Sequence, residues 1–74
     1  MIIERPARTD GYMNAVQVIE VIHALSKSQG MYARMYSALV ELRETNEEAF
    51  NAWCDHMEKQ NFKDSVDVVI YLES

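Results

Sequence analysis

The segment 15–25 carries an apolar arc so wide that it constrains how the whole chain can fold. Its members follow the i, i+3, i+4 spacing of a helix: Ala15, Val18, Ile19, Val21, Ile22 and Leu25. With Asn14 as its N-cap, the pattern predicts a first helix over about 14–26. Because a helix with so narrow a polar stripe must be covered on most sides, we expect it to be the central helix of the fold or to lie at an oligomer interface.

The stretch from Ser26 to Gly30 breaks this pattern, and a second amphipathic stretch follows it. Ser28 is the expected N-cap, and the periodicity predicts a helix over about 29–43. One face of this helix is apolar and is expected to lie in the core: Met31, Tyr32, Met35, Leu39 and Leu42. Three residues form a shoulder beside that face, as core margin or as a contact patch: Ala33, Tyr36 and Val40.

Thr45-Asn46-Glu47-Glu48 has the Thr-x-x-Glu form of a capping box, in which the hydroxyl and the carboxylate each bond an otherwise unpaired backbone N–H. A third helix over about 46–60 is predicted to follow. Its apolar positions are expected to be buried: Ala49, Phe50, Trp53, Cys54 and Met57. Asn61 suits the left-handed position that ends a helix, and Phe62 is expected to fold back over that end.

The last segment has two interpretations. Asp64 as N-cap with Asp67 in the first turn indicates a short helix, whereas β-branched residues at every second position are typical of a strand. The alternating apolar residues are Val66, Val68, Ile70 and Leu72. Helix is favoured, because a lone strand needs a partner that only Ile2-Ile3 or a second copy of the chain offers.

Together these elements predict an all-α fold, a small bundle of three helices with a short carboxy-terminal helix packed against them. The alternative is an α+β fold with a carboxy-terminal strand. Residues 1–12 are expected to form an irregular lead-in, since Pro6 and Asp10-Gly11 interrupt any long element there. We expect the whole chain, 1–74, to be a single domain.

Length limits how such a bundle can be stabilised. In a chain of 74 residues a lone core is marginal. One cysteine excludes an internal disulfide, and two histidines with it are too few for a closed structural zinc site. Tight packing or self-association remains, and the simplest prediction is a two-fold homodimer that buries part of the first helix or the shoulder of Ala33, Tyr36 and Val40.

Charge limits the kinds of partner. The formal net charge of −5 disfavours direct binding to nucleic acid or to an anionic membrane surface. Six acidic residues on and before the third helix are predicted to form a rigid face for a protein partner with a basic surface: Glu41, Glu44, Glu47, Glu48, Asp55 and Glu58. Alternatively, the acids are a solvated surface that keeps a small protein soluble, and Asp55 pairs with Lys59 along the helix.

Catalytic and metal-binding interpretations find little support. Trp53-Cys54-Asp55-His56 places a thiol near an imidazole in sequence, but helix positions two apart point about 200° from each other, so Cys54 and His56 cannot act as thiol and base. The two histidines and Cys54 lack metal-ligand spacing, and no phosphate-binding loop or dinucleotide fingerprint occurs. We therefore expect a protein that is not an enzyme and uses neither a metal nor another cofactor.

Two further features of the sequence predict where in the cell the protein is located. No apolar run approaches the ~18 residues of a membrane span. Residues 1–6 have neither the basic segment nor the apolar stretch of a signal peptide. Both features predict a cytoplasmic protein.

Two stretches, Leu25 to Arg34 and Asn61 to Glu73, resemble segments of short uncharacterised helical proteins encoded by bacteriophages and prophages. The resemblance covers about a third of the chain and carries no catalytic residue. It implies a small accessory protein made in the bacterial host cytoplasm, a class that includes inhibitors of host defence such as anti-CRISPR proteins.

The function predicted is therefore a non-enzymatic protein–protein interaction module that blocks a basic surface on another macromolecule, such as the nucleic-acid channel of a nuclease complex. The alternative is a homo-oligomeric structural or assembly subunit without a regulated partner.

Overall fold

The computed structural model describes residues 5–74. Four helices follow one another along the chain: α1 (Ala15–Ser26), α2 (Gly30–Thr45), α3 (Glu47–Glu58) and α4 (Ser65–Glu73). Within the described range there is no strand. The predicted all-α bundle with a short carboxy-terminal helix is thus confirmed. The expectation for Ile2 and Ile3 concerns positions outside the described residues.

The start of α1 is held by a reciprocal capping box. The Asn14 side-chain oxygen accepts a hydrogen bond from the Gln17 backbone N–H at 3.0 Å, and the Gln17 side-chain oxygen accepts one from the Asn14 N–H at 2.9 Å. The Asn14 amide group also donates to the carbonyls of Arg5 and Pro6. Asn14, predicted as a cap, therefore also holds the lead-in against the helix.

The junction between α1 and α2 differs from the prediction. Ser28 does not cap α2, because Gln29 occupies the N-cap position and makes no side-chain capping bond. The backbone N–H groups of Ser28 and Gln29 both donate to the carbonyl of Leu25, at 3.1 and 3.0 Å. The junction residues thus close the end of α1 through their backbone and leave the start of α2 without a side-chain cap.

The capping box predicted at Thr45 does not form, and the N-cap of α3 lies one residue later. Helix α2 continues through Thr45, whose hydroxyl donates to the Glu41 carbonyl at 2.9 Å. Asn46 is the N-cap of α3 instead, and its side-chain oxygen accepts from the Ala49 N–H at 3.1 Å. The Asn46 N–H also donates to the Leu42 carbonyl at 2.7 Å, so this residue ends one helix and begins the next.

Asn61 and Asp64 behave as predicted around the turn between α3 and α4. Asn61 has a φ of 56°, in the left-handed region, and the following Phe62 is buried. The Phe62 carbonyl accepts from the Met13 N–H at 2.8 Å, which joins this turn to the lead-in. Asp64 then caps α4 by accepting from the Asp67 N–H at 3.2 Å.

The core is built around α1. Its inward residues are fully or almost fully buried, and Val21 and Leu25 pack at the margin. The buried apolar set is Ala15, Val18, Ile19, Ile22, Tyr32, Leu39, Phe50, Cys54, Met57, Phe62 and Val68. The apolar arc is therefore covered within one chain. Met31, which was expected in the core, is 46% exposed because it lies beside the inward-facing Tyr32 on the first turn of α2.

We expect Asn14→Ala to lower the free energy of unfolding by about 1–2 kcal/mol, because it removes the cap of α1 and the bonds to the lead-in. Urea unfolding followed by circular dichroism measures this. Ser28→Ala is the matched control, with an expected loss below about 0.5 kcal/mol because its exposed hydroxyl makes one long bond, 3.5 Å to the Leu25 carbonyl. Equal losses in the two variants would contradict this assignment of the caps.

Candidate functional site

Four glutamates form an exposed acidic surface where α2 meets α3, here called the acidic corner. They are Glu41, Glu44, Glu47 and Glu48. Two belong to the end of α2 and two to the first turn of α3, and Asn46 alone separates these helices. The half-buried Arg43 lies within the same stretch. Since both helices are anchored in the core, the four carboxylates project from rigid backbone.

Asp55 and Glu58, predicted as part of the same acidic face, are engaged in an ion pair with the lead-in. The Arg5 guanidinium donates to both carboxylates, at 3.0 Å for the bond from Nε to Glu58. Although burial alone would lower it, the hydrogen bonds to Asp55 and Glu58 raise the pKa of Arg5 above its ordinary value. One Arg5 charge is thus shared by these two carboxylates, and Asp55 pairs with Arg5 rather than with Lys59.

Glu58 has a second structural role. The same carboxylate oxygen that binds Arg5 accepts a hydrogen bond from the Ala15 backbone N–H at 2.8 Å. Ala15 is the first residue of α1, so the negative charge lies at the positive end of that helix dipole. The Glu58 side chain is only 22% exposed, in contrast to the predicted surface position. Glu58 thus links α3, α1 and the lead-in.

Arg8 fastens the lead-in at a second point. Its guanidinium donates to the backbone carbonyl of Glu58 and to the side-chain oxygen of Asn61, the latter at 2.9 Å. A cation at the last carbonyls of α3 is favourable because that end of the helix dipole is negative. Arg8 also donates to Asp10, and this bond holds the pKa of Asp10 below its usual range. The Arg8 guanidinium lies 5.4 Å from the centroid of the Tyr12 ring.

An open depression of about 540 Å³ lies beside these contacts. Its lining residues are Arg8, Asp55, Glu58, Lys59 and Asn61. Most of the charged groups around it already bond one another or the lead-in, as described above. The depression is therefore lined by the same side chains that bind the lead-in to α3.

One residue of the predicted self-association shoulder, Tyr36, makes a ring contact within the chain. The Tyr36 ring stacks on the His23 ring of α1, with centroids 4.6 Å apart. Ala33 and Val40 are half-buried on the same helix. Neighbouring helices bury most of the apolar arc of α1, while Val21 and Leu25 at its margin are only partly buried.

Cys54 and His56 have separate surroundings, as their helical spacing predicts. The Cys54 thiol is fully buried, and burial raises its pKa, which keeps it protonated and poorly nucleophilic. The His56 Nε2 atom lies 3.1 Å from the Tyr71 hydroxyl, within hydrogen-bonding distance across α3 and α4. The imidazole thus contacts a phenol rather than the thiol.

Residues 5–74 contain no group of three or more His, Cys, Asp or Glu side chains arranged to hold a metal ion. Over the same range, none of the helices has the length and apolar character needed to cross a membrane.

The sequence interpretation missed an exposed apolar pair on α4. Val66 and Ile70 are 61% and 63% exposed, while Val68 on the opposite side of the helix is fully buried. The period-two pattern of this segment was the available signal. In a helix it places Val66 and Ile70 one turn apart on the outer face.

Tyr32 connects α2 with the end of α4. Its ring is fully buried, and its hydroxyl donates to the Glu73 carboxylate at 2.7 Å. Burial and this hydrogen bond raise the pKa of Tyr32 to about 12. The contact fastens the last turn of the short helix α4 to the core.

Comparison with known proteins adds no family to this description. No protein-family model matches the chain, and the searches of curated proteins and of solved structures also find no match.

We expect Glu58→Ala to lower the free energy of unfolding by about 1–3 kcal/mol, because it leaves the Ala15 N–H without its acceptor and removes one of the two carboxylates that Arg5 binds. Glu41→Ala is the matched control and should change stability by less than about 0.5 kcal/mol, since its side chain is exposed. Chemical denaturation measures both. If Glu58→Ala were as stable as the control, Glu58 would be a free surface acid.

The Tyr32–Glu73 contact predicts a pH dependence. The folded chain favours the neutral phenol, so its stabilising contribution is full below about pH 10 and is lost as the pH rises towards about 12. The difference in unfolding free energy between wild type and Tyr32→Phe should therefore shrink between about pH 9 and 12, as measured by urea unfolding. A constant difference would contradict the contact.

Proposed function

We propose that this protein is a non-enzymatic interaction module that binds a basic surface of another protein through the acidic corner. The observation that carries the proposal is the exposure of all four of its glutamates on two rigid helices. In contrast to Asp55 and Glu58, none of these side chains bonds the described part of the lead-in, residues 5–12. They are available to a partner.

Rigid placement favours such binding in two ways. Less conformational freedom is lost when the partner binds, because the backbone beneath the charges is already ordered. The clustered negative charge also steers a basic surface towards the corner and speeds association. Both effects act on the same surface, so its charge should influence the association rate and the salt dependence.

The proposed setting is the cytoplasm of a bacterial host, in line with the resemblance to phage accessory proteins. The partner surface is proposed to be a positively charged nucleic-acid channel of a host defence complex, which the module blocks as an anti-CRISPR-like inhibitor. Such channels present the clustered basic side chains that an acidic protein surface complements.

We expect Glu41→Gln, Glu44→Gln and Glu48→Gln, combined in one variant, to weaken binding about tenfold, since each exposed charge contributes roughly 0.5 kcal/mol. The effect on folding should be small. Glu41 and Glu44 lie near the negative end of α2, and Glu47 remains in the first turn of α3.

The matched control is Glu20→Lys with Ala24→Lys, which changes the net charge by the same amount on exposed positions of α1. Wild type, triple variant and control are each used to capture proteins from bacterial lysate, with elution over a salt gradient. A protein retained by wild type and control but lost by the triple variant supports the proposal. Retention by the triple variant, equal loss in the control, or capture of this chain alone would contradict it.

A further inference from the structure

We propose that the outer face of α4 binds a second copy of this chain, with the two α4 helices antiparallel. This surface is defined by Val66 and Ile70 and does not involve the acidic corner. The inference therefore goes beyond the proposed basic partner and stands or falls separately.

The face is the most exposed apolar feature of the described residues. Among large apolar side chains in 5–74, Val66 and Ile70 have the highest exposure, 61% and 63%. They lie one turn apart on α4, opposite the buried Val68, and the half-buried Val69 borders them. A β-branched pair at this spacing offers a short ridge to another helix.

A two-fold axis that crosses the outer face midway between Val66 and Ile70, at the level of Val68, makes this ridge self-complementary. In an antiparallel pair centred there, Val66 meets the partner's Ile70, and Ile70 meets the partner's Val66, as an isologous interface requires. Both contacts are apolar on both sides. A second copy thus covers the outer face without burying a polar group between the ridges.

The same two-fold axis pairs opposite charges at the two ends of the face. Lys63, at the amino end, and Glu73, at the carboxyl end, are equally far in sequence from Val68, and both are exposed. The axis therefore brings Lys63 towards the partner's Glu73 at each end. One Glu73 oxygen already accepts from Tyr32, and the other is available to a lysine. A parallel pair would instead bring like charges together.

The small size of the face sets the expected affinity. A helix of nine residues with two exposed apolar side chains covers far less than the roughly 1,200 Å² of a standard interface. The dimer should therefore be weak, with a dissociation constant of about 0.1–1 mM.

Sedimentation equilibrium of the full chain over about 0.01–2 mM, a range that brackets that affinity, tests this. We expect the average mass to rise above 8.6 kDa towards twice that value. Ile70→Lys should weaken self-association at least tenfold. Ala38→Lys is the matched control, because it adds the same charge at an exposed position near the middle of α2, and it should dimerise as wild type does.

A charge-exchange experiment tests the antiparallel geometry. Lys63→Glu alone and Glu73→Lys alone should each dimerise more weakly than wild type, because each brings like charges together at both ends. An equimolar mixture of the two variants restores opposite charges at both ends, so association should return as a heterodimer. Circular dichroism checks that Glu73→Lys, which loses its bond to Tyr32, keeps its helix content.

Dimerisation that Ile70→Lys removes, together with recovery in the mixture, supports the proposal. A monomer throughout the range would overturn it and leave the face to a different protein. Dimerisation that survives Ile70→Lys would move the interface elsewhere. Absence of recovery in a mixture of folded variants would overturn the antiparallel arrangement.

Discussion

The apolar arc of α1 can leave water only if other helices surround it, and the arrangement of α2, α3 and α4 meets this requirement. Residues on all three supply the contacts, from Tyr32 and Leu39 to Phe50 and Val68. Because apolar burial is the main favourable term in folding, a small chain needs its most apolar helix at the centre. The short α4 packs on α1 and contributes Val68 to the core beside the residues of α2 and α3.

Polar contacts then orient this packing. Glu58 receives hydrogen bonds from Arg5 and from the start of α1, while Arg8 binds the end of α3. The two arginines hold residues 5–12, which form no helix or strand, against α1 and α3. They also divide the acidic residues into two classes, because Asp55 and Glu58 bind Arg5 and the glutamates of the acidic corner are exposed.

The acidic corner and the end of α4 lie at opposite ends of α2. Tyr32, near its start, holds the end of α4, and the acidic corner begins where α2 ends. A helix rises about 1.5 Å per residue, which places roughly 20 Å between Tyr32 and Thr45. The acidic corner and the Tyr32–Glu73 contact at the end of α4 are therefore well separated along α2.

The sequence by itself determined the number of helices, their approximate bounds and the residues that begin or end them at Asn14, Asn61 and Asp64. These features depend on periodicity and on side-chain bonds within three or four residues, which the local sequence contains. One local feature was not determined by the sequence. Thr45 and Asn46 can both serve as an N-cap, and in the structure α2 continues through Thr45 while Asn46 caps α3. Only the tertiary structure decided that Glu58 is bound to Arg5, that Met31 faces water, and that Val66 and Ile70 form an outer ridge. Arg5 and Glu58 are 53 residues apart, and a contact of that range follows from how the helices pack, which no local pattern specifies.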